Sequence, residues 1–435
     1  MKFAFNLALR ILKPQKGTKK YDLIGTILAI ALSLLPLIVV LEVANGMIEG
    51  ITRRLIEVGT YHLQVSSGFR DISEDQLEAT LTKIKNISGI NTAIIERQGF
   101  GIVFSENGRT GVHIRSVSPE INEDEGFNSY FEILAGDFDI SDSSSIMLGR
   151  TVAEKLNVGM GDEVKILTVL TIGNRNAPKI TTFTVKGIFS TGYQDLDKLW
   201  VYMNINTGRQ ILPESSIRQF IGIKVSDPYG PLNDYIIKLT NIIPDNWHFY
   251  RIHTWNEIEE NQYKSFQTTK AMLIFIMFLI VIVASVNVSS TMVMIVMEKN
   301  MDIGILKSLG ASPSTITRAF LITGFCTGVL GAFIGIFSGL LIAANINEII
   351  GGIEFILNNT INILNSIFSI FIEVEAAKPL VLLDPVYYLQ EIPIRIDFWE
   401  VLGIGFFTIF LSTIASYLPA RRAGKIKPLQ IIQKI

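Results

Sequence analysis

The sequence predicts a membrane α-helical protein, with four transmembrane helices and a large α+β extracytoplasmic domain between helices 1 and 2. Three observations predict it. The 435 residues are 49% hydrophobic and only 18% charged, against about 25% charged in a soluble chain. Four long stretches carry no charged residue at all. Between the first and second of them lies a segment of ordinary globular composition. The charge deficit excludes a disordered chain, a basic nucleic-acid binder and an ordinary cytosolic enzyme. A net charge of −2 gives no field for a polyanion, and no nucleic-acid partner is expected. The single cysteine, Cys326, excludes an intramolecular disulfide and a cysteine-cluster metal site.

Residues 1–22 read as a cytoplasmic amphipathic helix. Lys2, Asn6, Arg10 and Lys13 share one helical face, and Phe5, Ala8, Leu9 and Leu12 share the other. A membrane helix needs about 20 mostly apolar residues. Leu23 to Leu41 supplies 19 without a charge, so residues 23–43 form the first span. That stretch is too long for a signal-peptide core and no clear small-residue cleavage site follows, so it reads as a retained anchor. Residues 44–270 form the α+β domain. Short alternating runs predict strands at residues 61–65, 101–104, 112–115, 163–167, 182–186, 199–203 and 221–225. Helices are predicted at residues 74–87, 150–156 and 231–242. Residues 271–297, 319–346 and 401–419 are the second, third and fourth spans. They are joined by a short loop, 298–318, and a longer one, 347–400. The chain closes with a basic tail, 420–435.

Lys and Arg near the span ends set the orientation. Residues 1–22 hold six, the 298–318 loop holds three, and the tail holds Arg421, Arg422, Lys425, Lys427 and Lys434. The 347–400 loop holds only Lys378 and Arg395 against eight acids. Four spans put the three basic segments on one side, so both termini are expected in the cytoplasm. The 44–270 domain and the 347–400 loop are expected outside it.

Catalytic signatures are lacking. There is no phosphate-binding G-x-x-x-x-G-K-[ST] loop, no H-E-x-x-H and no G-x-S-x-G. The four histidines, His62, His113, His248 and His253, form no metal spacing. The spans hold almost no ionisable residue, and an ion pathway normally needs some. No cofactor or metal is expected in this chain, and any power must come from a partner.

Two motifs carry information. Gly324 and Gly328 are four residues apart, as are Gly331, Gly335 and Gly339. This spacing lets helix backbones approach closely in lipid, within the chain or against another one. In the 298–318 loop, Ile303, Leu306 and Leu309 fall on one helical stripe. Gly310 is placed to stop that helix, and Ser312-Pro313 to start the next. A short amphipathic helix between two spans suits insertion into a groove of a cytosolic partner.

The run Asn287-Val-Ser-Ser290, Met297-Glu-Lys299 and Asp302-Ile-Gly-Ile-Leu-Lys-Ser-Leu-Gly-Ala-Ser312, followed by the glycine-rich third span, resembles the MacB/FtsX-type ABC permeases. Within that superfamily it is most similar to the lipoprotein-releasing permeases of the LolC/LolE type. Further matches are Val43-Ala-Asn-Gly-Met47, Leu148-Gly-Arg150, Leu156 to Asp162, Val185 to Gly192, Thr254-Trp255, Val386 to Pro393 and Tyr417 to Ala423. Each is weak alone; their order along the chain carries the resemblance.

The resemblance implies a permease subunit without a nucleotide site of its own. It would pair with a second permease copy or paralogue and dock a cytosolic P-loop ATPase that binds ATP and Mg. The coupling set is Glu298, Asp302, Ile303, Gly304, Leu306, Lys307, Leu309 and Gly310. In it Ile303, Leu306 and Leu309 fill the ATPase groove, and Glu298, Asp302 and Lys307 set orientation at its rim. The substrate is a lipoprotein in the outer leaflet of the bacterial inner membrane, and a periplasmic carrier receives it. Moving acyl chain into water costs about 0.8 kcal/mol per methylene, roughly 11 kcal/mol for a 14-methylene chain, so extraction needs an energy source and an apolar acceptor. Leu37, Val40, Leu41, Met47, Met272, Ile276 and Phe278 are the expected lining of a lipid pocket, with ordinary contact to membrane lipids as the competing role. A hairpin with arms at 165–170 and 179–185 and a tip at 171–178 is the expected carrier-docking element, through Ile172, Arg175 and Pro178. Two other tasks occur in the superfamily. FtsX-like members regulate a cell-wall hydrolase, and MacB-like members are efflux permeases, commonly fused to their ATPase.

Overall fold

The computed structural model describes residues 7–8, 21–67, 74–172, 175–212, 218–243, 250–368, 380–382, 389 and 392–426. In chain order the longer helices are α1 (Tyr21–Arg54), α2 (Glu74–Lys85), α3 (Arg150–Leu156), α4 (Ile205–Ile211) and α5 (Asn233–Ile242). They continue with α6 (Glu260–Glu298), α7 (Asn300–Ser308), α8 (Pro313–Ala344), α9 (Ile346–Phe368) and α10 (Phe398–Lys425). The strands are β1 (Leu63–Ser67), β2 (Ile90–Phe104), β3 (Arg109–Val117), β4 (Glu132–Gly136) and β5 (Ser145–Gly149). Then come β6 (Glu163–Ile172), β7 (Arg175–Ser190), β8 (Trp200–Asn204), β9 (Arg218–Val225) and β10 (Tyr250–Thr254). The chain divides into two compact units. One is Met1–Met47, Phe266–Leu380 and Ile392–Ile435; the other is Ile48–Ser265 and Val381–Glu391.

The first unit is a helical bundle. The four helices α1, α6, α8 and α10 are long and apolar enough to cross a membrane. Their contact is built from small residues and branched aliphatics: Ile30, Leu34, Ile38, Val281, Val288, Ala332 and Ile404 form one buried cluster. The helices outrun the uncharged stretches. Helix α1 continues through Glu49, Arg53 and Arg54 into a π-helical turn, Leu55–Thr60, and α6 begins at Glu260. Absence of charge marks where a helix meets hydrocarbon, but backbone hydrogen bonding does not stop there, so span limits are not helix limits. The 347–400 segment, expected as a loop, opens with the 23-residue helix α9. The expected surface helix over 1–22 lies outside the described residues, apart from helical Leu7 and Ala8 and the first residues of α1. The tail beyond Ile426 lies outside them too.

The second unit is built on a ten-stranded sheet, in the order β10-β1-β9-β2-β3-β8-β5-β7-β4, with β6 pairing β2 and β7. Most pairs are antiparallel; β3 with β8 and β5 with β7 are parallel. Leu63, Val65, Ile221 and Ile223 pack under α2 and α5 through Leu77, Ile84 and Leu239. A second core is aromatic, with Phe127, Phe131, Phe189, Trp200 and Tyr202 in mutual contact. Every strand predicted from alternation lies in or overlaps an observed strand. Three were not predicted. β5 is buried at every position, so it has no polar face to alternate; β4 and β10 are the other two.

Candidate functional site

The glycines of α8 meet other helices of the same chain. A methyl group at Gly331, Gly335 or Gly339 would come within 2.8 Å of the Cβ of Ile30, Leu34 or Ile38 on α1. At Gly324 and Gly328 the added Cβ would meet Ser416 and Ser412 on α10, the latter at 2.9 Å. Ser412 donates to the carbonyl of Gly324 at 3.1 Å. Of the two roles open to this spacing, the structure shows packing within the chain. All five glycines fall on one face of α8, and that face meets α10 at Gly324 and Gly328 and α1 further along, at Gly331, Gly335 and Gly339.

Helix α7 links α6 to α8. Gly310, with φ of +95°, and the Ala311 N–H bond to the Leu306 carbonyl at 3.0 Å close it, as its sequence predicted. Ser312 then caps α8 by accepting from the Thr315 N–H, with Pro313 at the first helical position. The face exposed by α7 differs from the predicted one. Ile303 is 3% exposed and packs against Met292, Val296, Ile316, Phe320 and Ala420, so it is not available to a partner. Gly304 is buried as well, and Leu306 is half-buried. Lys307 does not stand at a rim: its Nζ donates to the carbonyls of Gly424 at 2.9 Å and Ile426 at 2.6 Å. The apolar residues on the surface are Met297, Met301, Ile305 and Leu309, at 72, 53, 53 and 80% exposure. They recur every four residues. Glu298 and Asp302 are exposed on the same segment, and Lys299 Nζ lies 3.5 Å from the Asp302 carboxylate.

The β6–β7 hairpin is longer and tighter than expected. Ile172 pairs with Arg175, so pairing runs into the expected eight-residue tip, and Arg175 and Pro178 lie within β7. β6 pairs β2 only through Lys165, Ile166 and Leu167. Beyond those residues the hairpin is a two-stranded ribbon. Pro178 is exposed and pairs with Val169, and a two-stranded ribbon tolerates a residue that cannot donate. The side chains of Ile172 and Arg175 lie outside the described residues.

The expected lipid-pocket residues do not share one surface. Leu37 and Leu41 are buried in the bundle, Met47 is half-buried, and Val40, Met272 and Ile276 are exposed on other faces. Leu41 and Phe278 do line a common cavity of 280 Å³ with Met277, Val281, Ile404 and Phe407. Phe278 and Phe407 stack there at 5.0 Å. Residues of α10 were missed because nothing in the sequence shows that the fourth span returns beside the first two.

A further buried group had no sequence signal. Arg115, fully buried, donates to both carboxylate oxygens of Glu96 at 2.5 and 2.7 Å and to the carbonyls of Val58 and Gly59 at 2.5 and 3.0 Å. Its guanidinium lies over the Trp200 ring, 4.2 Å from the centroid. It thereby satisfies carbonyls that the π-helical turn leaves without helical donors.

Residues 274–428 match the family model of the FtsX-like permease C-terminal region, and residues 23–231 match the MacB-like periplasmic core domain. The lipoprotein-releasing system transmembrane protein LolC of Neisseria meningitidis serogroup B is 26% identical over 440 residues, with 98% of each chain covered. LolC of Xylella fastidiosa is 25% identical with the same coverage. LolE of Haemophilus influenzae is 24% identical, covering 96% of this chain and 97% of its own. This chain is thus a homologue of the lipoprotein-releasing permeases along nearly its whole length, as its motifs predicted.

Proposed function

We propose that this chain is the permease subunit of an ABC transporter. It extracts lipoproteins from the outer leaflet of the bacterial inner membrane and passes them to a periplasmic carrier. A separate cytosolic ATPase, which binds ATP and Mg, supplies the work, and this permease is itself non-catalytic. Both termini and α7 face the cytoplasm; the sheet domain and α9 lie on the periplasmic side. A second permease, a copy or a paralogue, completes the membrane part. The full-length relatives support the transported class. The observation that carries the coupling is the exposed row of Met301, Ile305 and Leu309 on the short linker between two spans, preceded by Met297 at the end of α6. An apolar row spaced every four residues is what a helix presents to a partner groove.

The test is purification from the native membrane in mild detergent with identification of the accompanying chains. A P-loop ATPase with acylated proteins is expected. The double change Ile305→Asp and Leu309→Asp should lower ATPase association at least tenfold and leave the spans folded, since both side chains face solvent. Full association of that variant would overturn the docking row. An ATPase accompanied by a wall hydrolase and no acylated protein would replace lipoprotein release with the regulator function.

A further inference from the structure

Among the described residues, the bundle holds a buried carboxyl group without a hydrogen-bond partner. Glu42 on α1 is 1% exposed, and neither of its carboxylate oxygens has a hydrogen-bond partner among the described residues. A buried carboxylate without compensation is costly, and such groups in a membrane helix mark ligand or ion sites. Its charged neighbours are Glu400, Asp397 and Lys270, and the Asp397 backbone N–H is its polar neighbour. Lys270 is engaged by Glu400 in an ion pair. Asn45 donates to the other Glu400 oxygen at 2.9 Å. Asp397 is used as the cap of α10, accepting from Trp399 N–H at 3.1 Å and Glu400 N–H at 3.4 Å. Three carboxylates therefore share one ammonium, and Glu42 is the one left over. Glu400 also lines the 280 Å³ apolar cavity described above, at the end where α10 begins.

A buried carboxyl group without a hydrogen-bond partner, beside an apolar cavity, suits an amphiphile with a cationic head. We propose that Glu42 and Glu400 bind a primary ammonium whose attached acyl chain enters the cavity between α1, α6 and α10. An ammonium offers three donors, which matches the two unpartnered Glu42 oxygens and a further lone pair on Glu400. A hard divalent cation would want six or more oxygens, and the apolar walls offer none. Two molecules carry this chemistry. One is an acylated protein whose lipid-modified N-terminal residue keeps a free α-amine; the other is an aminophospholipid. The assignment to a cargo rests on the proposed function, whereas the ammonium site itself does not.

The test uses the full chain in neutral detergent and two matched pairs of probes. One pair is a peptide with an S-diacylglyceryl cysteine, with its α-amine free or acetylated. The other is dioctanoyl phosphatidylethanolamine against dioctanoyl phosphatidylglycerol. In at least one pair the amine form should bind about tenfold tighter, as one charged hydrogen-bonded contact gives. Glu42→Gln and, separately, Glu400→Gln should bring that ratio close to one without changing the affinity of the amine-free probe. Preference in the peptide pair identifies the cargo as the source, and preference in the phospholipid pair identifies the membrane. A ratio near one for both pairs in the unaltered chain overturns the proposal, as does a preference that survives both substitutions. The comparison on the unaltered chain stands even where a variant fails to fold. It also reads independently of whether an ATPase or an acylated protein copurifies, so it fails separately from the proposed function.

Discussion

The helical bundle and the sheet domain solve the same problem, a unique packing, with opposite materials. In the sheet domain buried charges act as pins. Arg115 and Glu96 meet with no exposed surface between them, and Lys224 contacts Glu57 and Asp124. In the bundle the helices meet through absent side chains, at Gly324, Gly328, Gly331, Gly335 and Gly339. Water explains the difference. A domain folding from water gains its energy from apolar burial, and a fully bonded charge adds specificity. Helices already in lipid gain little from burying apolar surface, so contact depends on how closely backbones approach. The comparison also shows why Glu42 stands out: it is a buried ionisable group like those of the sheet domain, set in the bundle without their bonds.

The sharpest way to break this comparison is to remove one half of a pin. Arg115→Leu should cost about 3–5 kcal/mol, because Glu96 and two carbonyls then stay buried without their donor. Adding Glu96→Leu should recover much of the loss; unfolding of the full chain in denaturant, followed by tryptophan fluorescence, reads both. If the double variant is as unstable as the single one, the pair is not the cause. A second probe is proton uptake. His113 stacks on Phe100 at 4.8 Å, and burial, with Arg115 nearby, pulls its pKa from 6.5 to about 4. A depressed pKa keeps the ring neutral in the folded state. Its stability is therefore present above pH 6.5 and lost as pH falls from 6.5 to 4. At 1.36 kcal/mol per unit the loss is about 3 kcal/mol, and His113→Gln should flatten that part of the stability–pH curve. The smallest effect belongs to the bundle. Gly335→Ala puts a methyl 2.9 Å from the Ala31 carbonyl and 2.8 Å from Leu34 Cβ, and should cost about 1–3 kcal/mol. The thermal stability of the full chain in detergent checks it, and an unchanged value would show that the helices can separate freely.

What could be read in the sequence follows from the solvent as well. The spans were legible because hydrocarbon tolerates no charge, and the glycine spacing was legible because close approach demands it. Which helix each glycine meets was not, since Ile30 and Ser416 are hundreds of residues apart in sequence. The exposed face of α7 differs from the expected one for a local reason. That helix is apolar on two sides, with Ile303 on one and Met301 and Ile305 on the other, so periodicity alone cannot tell inside from outside. The hairpin was found and its tip overextended, because Pro178 reads as a turn residue until it is seen in a two-stranded ribbon. Arg115 was invisible, as its value lies in carbonyls contributed by Val58 and Gly59 and in a carboxylate 19 residues away.

Lys307 has one more consequence. Its two bonds reach the carbonyls of Gly424 and Ile426 at the end of α10, while α7 itself adjoins the ends of α6 and α8. The linker is therefore geared to three spans rather than two. Any displacement of the linker is thus shared with the last helix as well, through a single ammonium group.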